Sequence, residues 1–338
     1  MGLVKYVGRR LLLLVPTLFG VLLMVFVVSR VLIPNPARAW AGPRADEETV
    51  RKIGERYHLY DPVHIQFWYY VTDLLRGDWG HSPSSGQPVL KMIKTFFPAT
   101  VELAMAAMAI SILIGVFLGV ISAANQNKPI DHGSRIFALF GVASPPFLIA
   151  LLIQLIFFYH LQLFPESGGR ISHTVLPPKY ITGLFLVDSL VTGNWTAFWN
   201  SLNHLIMPAI ALALLYFGIA SRLTRASMLE AMRMDYVRMA RAKGLPLRTV
   251  IYKHALRNAL IPTTSVMTVM FAYMLGGDVV IEMIFSWPGV GRFAAQSILN
   301  LDYPGVMGVT LVFALSVILV NLMADVIYAF LDPRIMLR

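Results

Sequence analysis

Residues 11–33 read LLLLVPTLFGVLLMVFVVSRVLI, with Arg30 as the single charge. A helix rises 1.5 Å per residue, so a run of this length covers the roughly 30 Å of a bilayer's hydrocarbon. Lys5, Arg9 and Arg10 precede it, and Ala39-Trp40-Ala41 offers an A-x-A cleavage pattern, as in a signal peptide. The run nevertheless exceeds the roughly 7–15 apolar residues of a signal core, which predicts a retained helix. Working outward, apolar runs recur at 98–124, 136–160, 202–221, 259–285 and 306–330. The fold expected is therefore an all-α integral membrane protein with about six transmembrane helices. Composition agrees: 57% of the 338 residues are hydrophobic and 14% charged, against roughly 25% charged in a soluble domain. Pro16, Pro145, Pro146 and Pro208 fall within or at the ends of these runs, where a packed bundle tolerates them as kinks.

A net charge of +10 suits nucleic acid or an anionic membrane surface, and its placement decides between them. The 222–257 loop carries nine Lys and Arg against Glu230 and Asp235, and Lys128 and Arg135 fall on the same side. Segment 34–97, on the other side, balances eight basic residues with seven acidic ones. This asymmetry predicts cytoplasmic N and C termini in a multi-pass membrane protein, with no nucleic-acid partner. The chain then divides into 1–33 (N terminus and first helix), 34–97 (a small extracytoplasmic insert) and 98–338 (a five-helix core holding the 222–257 loop). Within the insert, Asp46-Glu47-Glu48 predicts a capped helix to about Tyr57. His64 to Tyr70 predicts a second helix, with Phe67-Trp68-Tyr69-Tyr70 suited to a membrane interface. Segment 161–200 reads as irregular, and Asn194-Trp195-Thr196 is a weak glycosylation match. There is no cysteine, which excludes disulfides and thiolate sites.

Between Ser227 and Lys243, Met228, Ala231, Met232, Met239 and Ala242 recur at helical spacing, and Gly244 and Pro246 end the segment. A short helix between two spans can dock in another protein's groove or lie on the anionic leaflet; the period fits either.

The strings around it carry a family resemblance. Asp235-Tyr236-Val237-Arg238-Met239-Ala240-Arg241-Ala242-Lys243-Gly244-Leu245, then His254-Ala255-Leu256-Arg257-Asn258-Ala259-Leu260-Ile261-Pro262, resembles the coupling-loop signature of ABC importer permeases of the dipeptide/oligopeptide/nickel group. The general pattern has a glutamate and two alanines before the glycine. Here Arg238-Met239-Ala240 stands in their place, so no glutamate contact forms at that position. The opening Lys5-Tyr6 with Arg9 to Thr17, Leu75 to Gly80, Pro98 to Leu103, Phe285 to Gly291 and Leu331-Asp332-Pro333-Arg334 follow the family's order, so the resemblance runs nearly the whole length. The insert after helix one resembles the first, dipeptide permease B-type, member of the permease pair.

The resemblance implies a type I ABC importer permease fold and half of a peptide translocation path. The implied partners are a second homologous permease, two ATP-binding subunits and an extracytoplasmic substrate-binding protein. It implies that a coupling helix at about Ser227–Gly244 docks on the ATPase through Asp235, Arg238, Met239, Ala240, Arg241, Lys243 and Gly244. This chain lacks the G-x-x-x-x-G-K-[ST] loop, so ATP and Mg belong to the partners and no cofactor is expected here. Oligosaccharides or chelated nickel are alternative cargoes in the same family. A self-sufficient secondary transporter is a further alternative, which midplane charges and inverted repeats would mark.

Charged and amide groups inside apolar runs are the translocation-path candidates. Asp278 and Glu282 are four apart, on one face near the outer end of the fifth helix. They could line the outer passage and attract a peptide's amino terminus, but an interface position in water, or pairing with a basic group of the partner permease, is the favoured reading. Glu102 and Asp325 read as structural pairs, and Gln154 and Asn321 as interhelical hydrogen bonders. The eight scattered histidines form no metal pattern, and no G-x-S-x-G elbow is present, so neither a metal site nor catalysis is expected.

Overall fold

The computed structural model describes residues 3–331, which form helices and turns with one isolated bridge between His81 and Pro88. In chain order the helices are α1 (Leu3–Phe26), α2 (Pro36–Ala41), α3 (Glu47–Arg56), α4 (Val63–Arg76), α5 (Val89–Ala124), α6 (Pro129–Ala143), α7 (Pro146–Ile153), α8 (Phe185–Val191), α9 (Trp195–Ala231), α10 (Asp235–Ala242), α11 (Leu247–Thr249), α12 (Leu256–Met274), α13 (Val279–Ile284), α14 (Val290–Leu299) and α15 (Tyr303–Leu331). Wider π-helical turns extend α1 over Val27–Val31 and α7 over Gln154–His160, and lead into α12 over Val250–Ala255.

Among the described residues, four stretches are long and apolar enough to cross a membrane: Arg10–Val31, Val89–Ala124, Trp195–Ala231 and Tyr303–Ala324. The expected run at 136–160 is bent by 105° between α6 and α7. Pro145 and Pro146 sit at that bend, Pro146 as the first residue of α7, where a missing N–H costs nothing. The run at 259–285 is also interrupted. α12 ends at Met274, Gly277 turns the chain at φ +87°, and the six-residue α13 follows.

The described residues fall into two compact units. The first holds the chain up to Thr100, Leu275–Met283 and the residues from Pro288 onward. These units cut across the expected 98–338 core, because α14 packs on α15 and α15 packs on α1. Val89 and Ile93 at the start of α5 share a buried cluster with Val290, Phe293, Val309 and Val312. The two expected insert helices are α3 and α4. Asp46 caps α3 by accepting from the Thr49 N–H at 3.1 Å. Ala39 and Ala41 lie in α2, with Trp40 between them buried against Val50, Tyr57 and Leu59. The α4 aromatics divide between two faces. Phe67 and Tyr70 pack on Phe26 at 5.1 and 5.7 Å, Trp68 is exposed, and Tyr69 stacks on His58 at 3.6 Å. Arg30, the one charge of the opening run, is buried. Its Nη1 donates to the Tyr57 carbonyl at 2.9 Å, and its guanidinium lies over Trp40 and Tyr70 at 5.1 and 5.4 Å, a cation–π setting.

The second unit comprises Val101–Met274 and Ile284–Trp287, and α9 is its axis, packed against α6, α7, α8 and α12. Close approach is set by glycines. A Cβ on Gly115 or Gly119 of α5 would meet Ala220 Cβ at 2.5 Å and Thr224 Cβ at 2.6 Å on α9. Gly141 of α6 and Gly218 of α9 likewise lie against the opposite helix's backbone. Such small-residue contacts let membrane helices gain dispersion energy where lipid offers no hydrophobic drive. Asn194, the glycosylation match, uses its side chain to cap α9 by accepting from the Ala197 N–H at 3.0 Å.

Candidate functional site

The expected coupling helix begins later than Ser227. Residues 227–231 are the last turns of α9, the chain breaks over 232–234, and α10 runs Asp235–Ala242. The inward residues also differ from the spacing argument. Val237 and Ala240 are buried beside Val120, Ala123, Met228 and Val250, whereas Met239 and Ala242 are exposed. The break resets the helical phase, so apolar residues in register with α9 lose that register in α10. Gly244 closes the helix at φ +72°. Its N–H donates to the Arg241 carbonyl at 2.9 Å and the Leu245 N–H to that of Ala240 at 3.4 Å. These two bonds make a Schellman ending, which needs a left-handed residue at this place.

The outer face of α10 and the turn after it presents Asp235, Arg238, Arg241 and Lys243, with Tyr236, Met239 and Leu245 among them, all exposed. Asp235 and Arg238 approach at 3.6 Å, but both are open to solvent, so this pair adds little. Ala240 is the one candidate of the set on the buried side. The outer face has the mixed apolar and basic character of a docking surface, and its base is fixed in a packed core.

Three of the four path candidates are held by local hydrogen bonds. Glu282 has no solvent exposure, which overturns the interface position expected for it. The Thr100 hydroxyl donates to its Oε1 at 2.7 Å, and the Arg292 N–H to its Oε2 at 2.8 Å. Thr100 Oγ1 accepts in turn from the Val290 N–H at 2.9 Å. Gly289 and Gly291 come so close that a Cβ on either would press on the carboxylate. Asp278 is not on a helix continuous with α12; it caps α13 by accepting from the Ile281 N–H at 3.0 Å. Gln154 opens the π-helical turn of α7 and donates to Ser167 Oγ at 2.7 Å and the Ile284 carbonyl at 3.0 Å. Asn321 is exposed on α15 and borders a cavity of about 190 Å³ with Thr17 and Ile318. The side chain of Asp325 and residues 332–334 lie outside the described residues.

Glu102 is paired, as expected, with a partner that the sequence did not single out. Arg170 Nη2 donates to its Oε2 at 2.6 Å and to the Gly183 carbonyl at 2.9 Å, and the Leu186 N–H donates to Oε1 at 2.7 Å. Arg170 also stacks 3.7 Å over Phe185. Burial pulls its guanidinium below the ordinary range while Glu102 draws it back up. The 161–200 segment, expected to be irregular, is thus tied down: α8 lies within it, and its last six residues are the start of α9. Asp188 of α8 accepts from the Thr182 hydroxyl and N–H at 2.7 and 2.8 Å and from the Gly183 N–H at 2.9 Å. Burial pushes the Asp188 carboxyl up, but these donors together hold it below the usual carboxylate range. No group of three or more His, Asp or Glu able to hold a metal occurs among the described residues.

Comparison with known proteins gives this geometry its context. The family described as binding-protein-dependent transport system inner membrane component matches residues 115–337, a stretch holding α9, α10 and α12. The chain is 42% identical to the Probable D,D-dipeptide transport system permease protein DdpB of Escherichia coli, over 95% of this chain and 94% of that one. It is 40% identical to the dipeptide transport system permease protein DppB of Alkalihalophilus pseudofirmus, over 98% and 99%. It is 34% identical to the glutathione transport system permease protein GsiC of Salmonella typhi, again over 98% and 99%. With the match covering most of the chain and similarity running end to end, this protein belongs to the binding-protein-dependent transport system inner membrane components, the multi-pass permeases of ABC importers.

Proposed function

We propose that the chain is one permease half of an ATP-driven importer of short peptides, and that α10 is the piece through which partner ATPases move it. The observation that carries this reading is the two-faced setting of α10. Its inner residues, Val237 and Ala240, are locked into the core where α5 and α9 end and α12 begins. Its outer face offers exposed aromatic, methionine and basic groups to a second protein. A helix held in this way moves with the bundle rather than against it, as a rigid-body alternation between outward- and inward-facing states requires.

In this reading both termini and the 222–257 loop face the cytoplasm. A second permease completes the path, two ATP-binding subunits supply nucleotide and Mg, and a binding protein delivers cargo on the other side. Peptide cargo is supported by the dipeptide and glutathione names of relatives aligned over nearly their whole lengths. Glutathione is itself a short peptide with a modified linkage, so the shared chemistry is a compact zwitterion with amide bonds.

The test uses the four-subunit importer reconstituted in proteoliposomes with its binding protein and a labelled dipeptide. Gly244→Pro removes the left-handed residue at the end of α10, since proline fixes φ near −65°. ATP-dependent uptake is expected to be lost while the variant still assembles as a helical complex. Normal uptake by a fully assembled Gly244→Pro complex, or uptake by the wild-type chain without any ATPase, overturns the reading.

A further inference from the structure

One buried charge cluster in the second unit has no part in docking or in the path. Asp131, in the first turn of α6, has no exposed surface. Arg225 of α9 grips it with a two-pronged fork, Nε to Oδ1 at 2.8 Å and Nη2 to Oδ2 at 2.8 Å. The Ser122 hydroxyl, near the end of α5, donates to Oδ1 in a short contact. The Asn127 N–H donates to Oδ2 at 2.9 Å from the intervening turn, and Arg135 stands 3.8 Å away. A single carboxylate therefore ties together α5, the turn after it, α6 and α9.

The position of this knot along the chain matters more than its strength. Arg225 lies ten residues before Asp235, so it grips α9 just ahead of the break that leads into α10. Asp131 opens the helix that ends at the 105° bend into α7. Further along, Gly141 and Gly218 bring α6 and α9 into backbone contact. The pair of helices is thus fastened at two levels, by van der Waals contact at one and by a directional fork at the other. Packing alone lets two helices slide; a planar guanidinium on a carboxylate fixes angle and register. A buried ion pair adds little net stability over apolar packing, so the fork's distinctive property is orientation.

We propose that Asp131 and Arg225 are positioning residues of the transport cycle, locking α6 to α9 so that displacement of α10 is carried to the α6–α7 bend. The inference rests on the importer reading and goes beyond it by naming the joint that transmits the motion. Neither residue touches cargo or ATPase in this scheme. Loss of the joint should then leave ATP turnover running while less cargo moves per ATP.

The experiment measures dipeptide uptake and ATP hydrolysis in the same proteoliposomes containing the full importer and its binding protein. Arg225→Lys keeps a charge beside Asp131 but loses the fork. Its uptake per ATP is expected to fall about tenfold, with hydrolysis within about twofold of wild type, the size expected when a coupling element is loosened. A merely structural defect removes intact complexes and lowers both rates together, leaving the ratio unchanged. Because a lone buried carboxylate can prevent folding, Asp131→Asn with Arg225→Gln removes both charges and should show the same fall. The chain has no cysteine, so Asp131→Cys with Arg225→Cys can be bridged by a short bifunctional thiol reagent, and bridging should restore the ratio. An unchanged ratio in the variants that assemble, or a ratio that stays low after bridging, overturns the proposal while wild-type coupling keeps the importer reading intact. Absence of ATP-dependent uptake by the wild type overturns both.

Discussion

Glu282 draws its hydrogen bonds from donors that would otherwise be stranded: a threonine hydroxyl and the Arg292 N–H in the first turn of α14. Thr100 both donates to the carboxylate and accepts from the Val290 N–H, so Thr100→Val breaks two bonds at once. Glu282→Gln keeps the volume but turns an amide NH₂ toward a donor. Each change is expected to cost about 1–3 kcal/mol, the penalty of an unmet buried polar group. Combined, they should cost clearly less than their sum, because both break the same network; thermal unfolding of the purified complex in detergent checks this, and full additivity would count against a shared network. Gly289→Ala should lower stability by a similar amount, since its new Cβ presses on the same carboxylate. Asp188 makes a pH-dependent case. Its carboxyl sits below its ordinary range in the folded chain, so its contribution is complete above that range and is lost as pH falls through it, below about pH 4. Limited proteolysis of the 161–194 segment should therefore rise on acidification below that point, and Asp188→Asn should show the higher cleavage already at neutral pH. None of these partners was legible in the sequence. Glu102 and Arg170 are 68 residues apart, and Asp131 and Arg225 are 94 apart. Separations of that size carry no periodic signal; only the cost of burying a lone charge says that some partner must exist.

At the scale of elements, apolar length marked most spans and said little about where helices break. The runs at 98–124, 202–221 and 306–330 each lie within one long apolar helix, 11–33 fills α1 and its π-helical extension except for its last two residues, and the prolines at 145–146 mark the sharp bend at that place. The breaks at 232–234 and after Met274 were missed for different reasons. Met232-Arg233-Met234 contains no helix breaker, so tertiary packing of Val237 and Ala240 decides where α10 starts. Gly276-Gly277 lies inside a run whose apolar composition hides the turn. The glycine contacts between α5 and α9 lead to a prediction at this scale. Gly119→Leu places a bulky side chain where Thr224 Cβ already lies 2.6 Å from an added Cβ. The helices must then separate, at a cost of about 1–3 kcal/mol for overpacking. Because α9 leads into α10, uptake should fall together with the yield of assembled complex. Gly133→Leu, on α6 with open space around it, should leave both unchanged and serves as the control.

For the whole molecule, the decisive question is which side of the membrane each segment occupies, and the cysteine-free sequence makes it directly testable. The positive-inside argument assigns the nine Lys and Arg of 222–257 to the cytoplasm and the charge-balanced 34–97 segment to the other face. The exposed positions Lys243 and Arg44 sample the two segments. In intact cells, a membrane-impermeant maleimide should label Arg44→Cys and spare Lys243→Cys, whereas inverted vesicles should give the reverse. Neither substitution touches a buried cluster, so both single-cysteine proteins should fold and insert as the wild type does, and labelling then reports the orientation. The labelling also bears on how the molecule acts. If α10 meets the ATPases, Lys243→Cys should react more slowly in inverted vesicles when the ATP-binding subunits are present than after they are stripped away. Equal rates in both states would mean that nothing covers α10, and the force applied to the bundle would have to enter elsewhere.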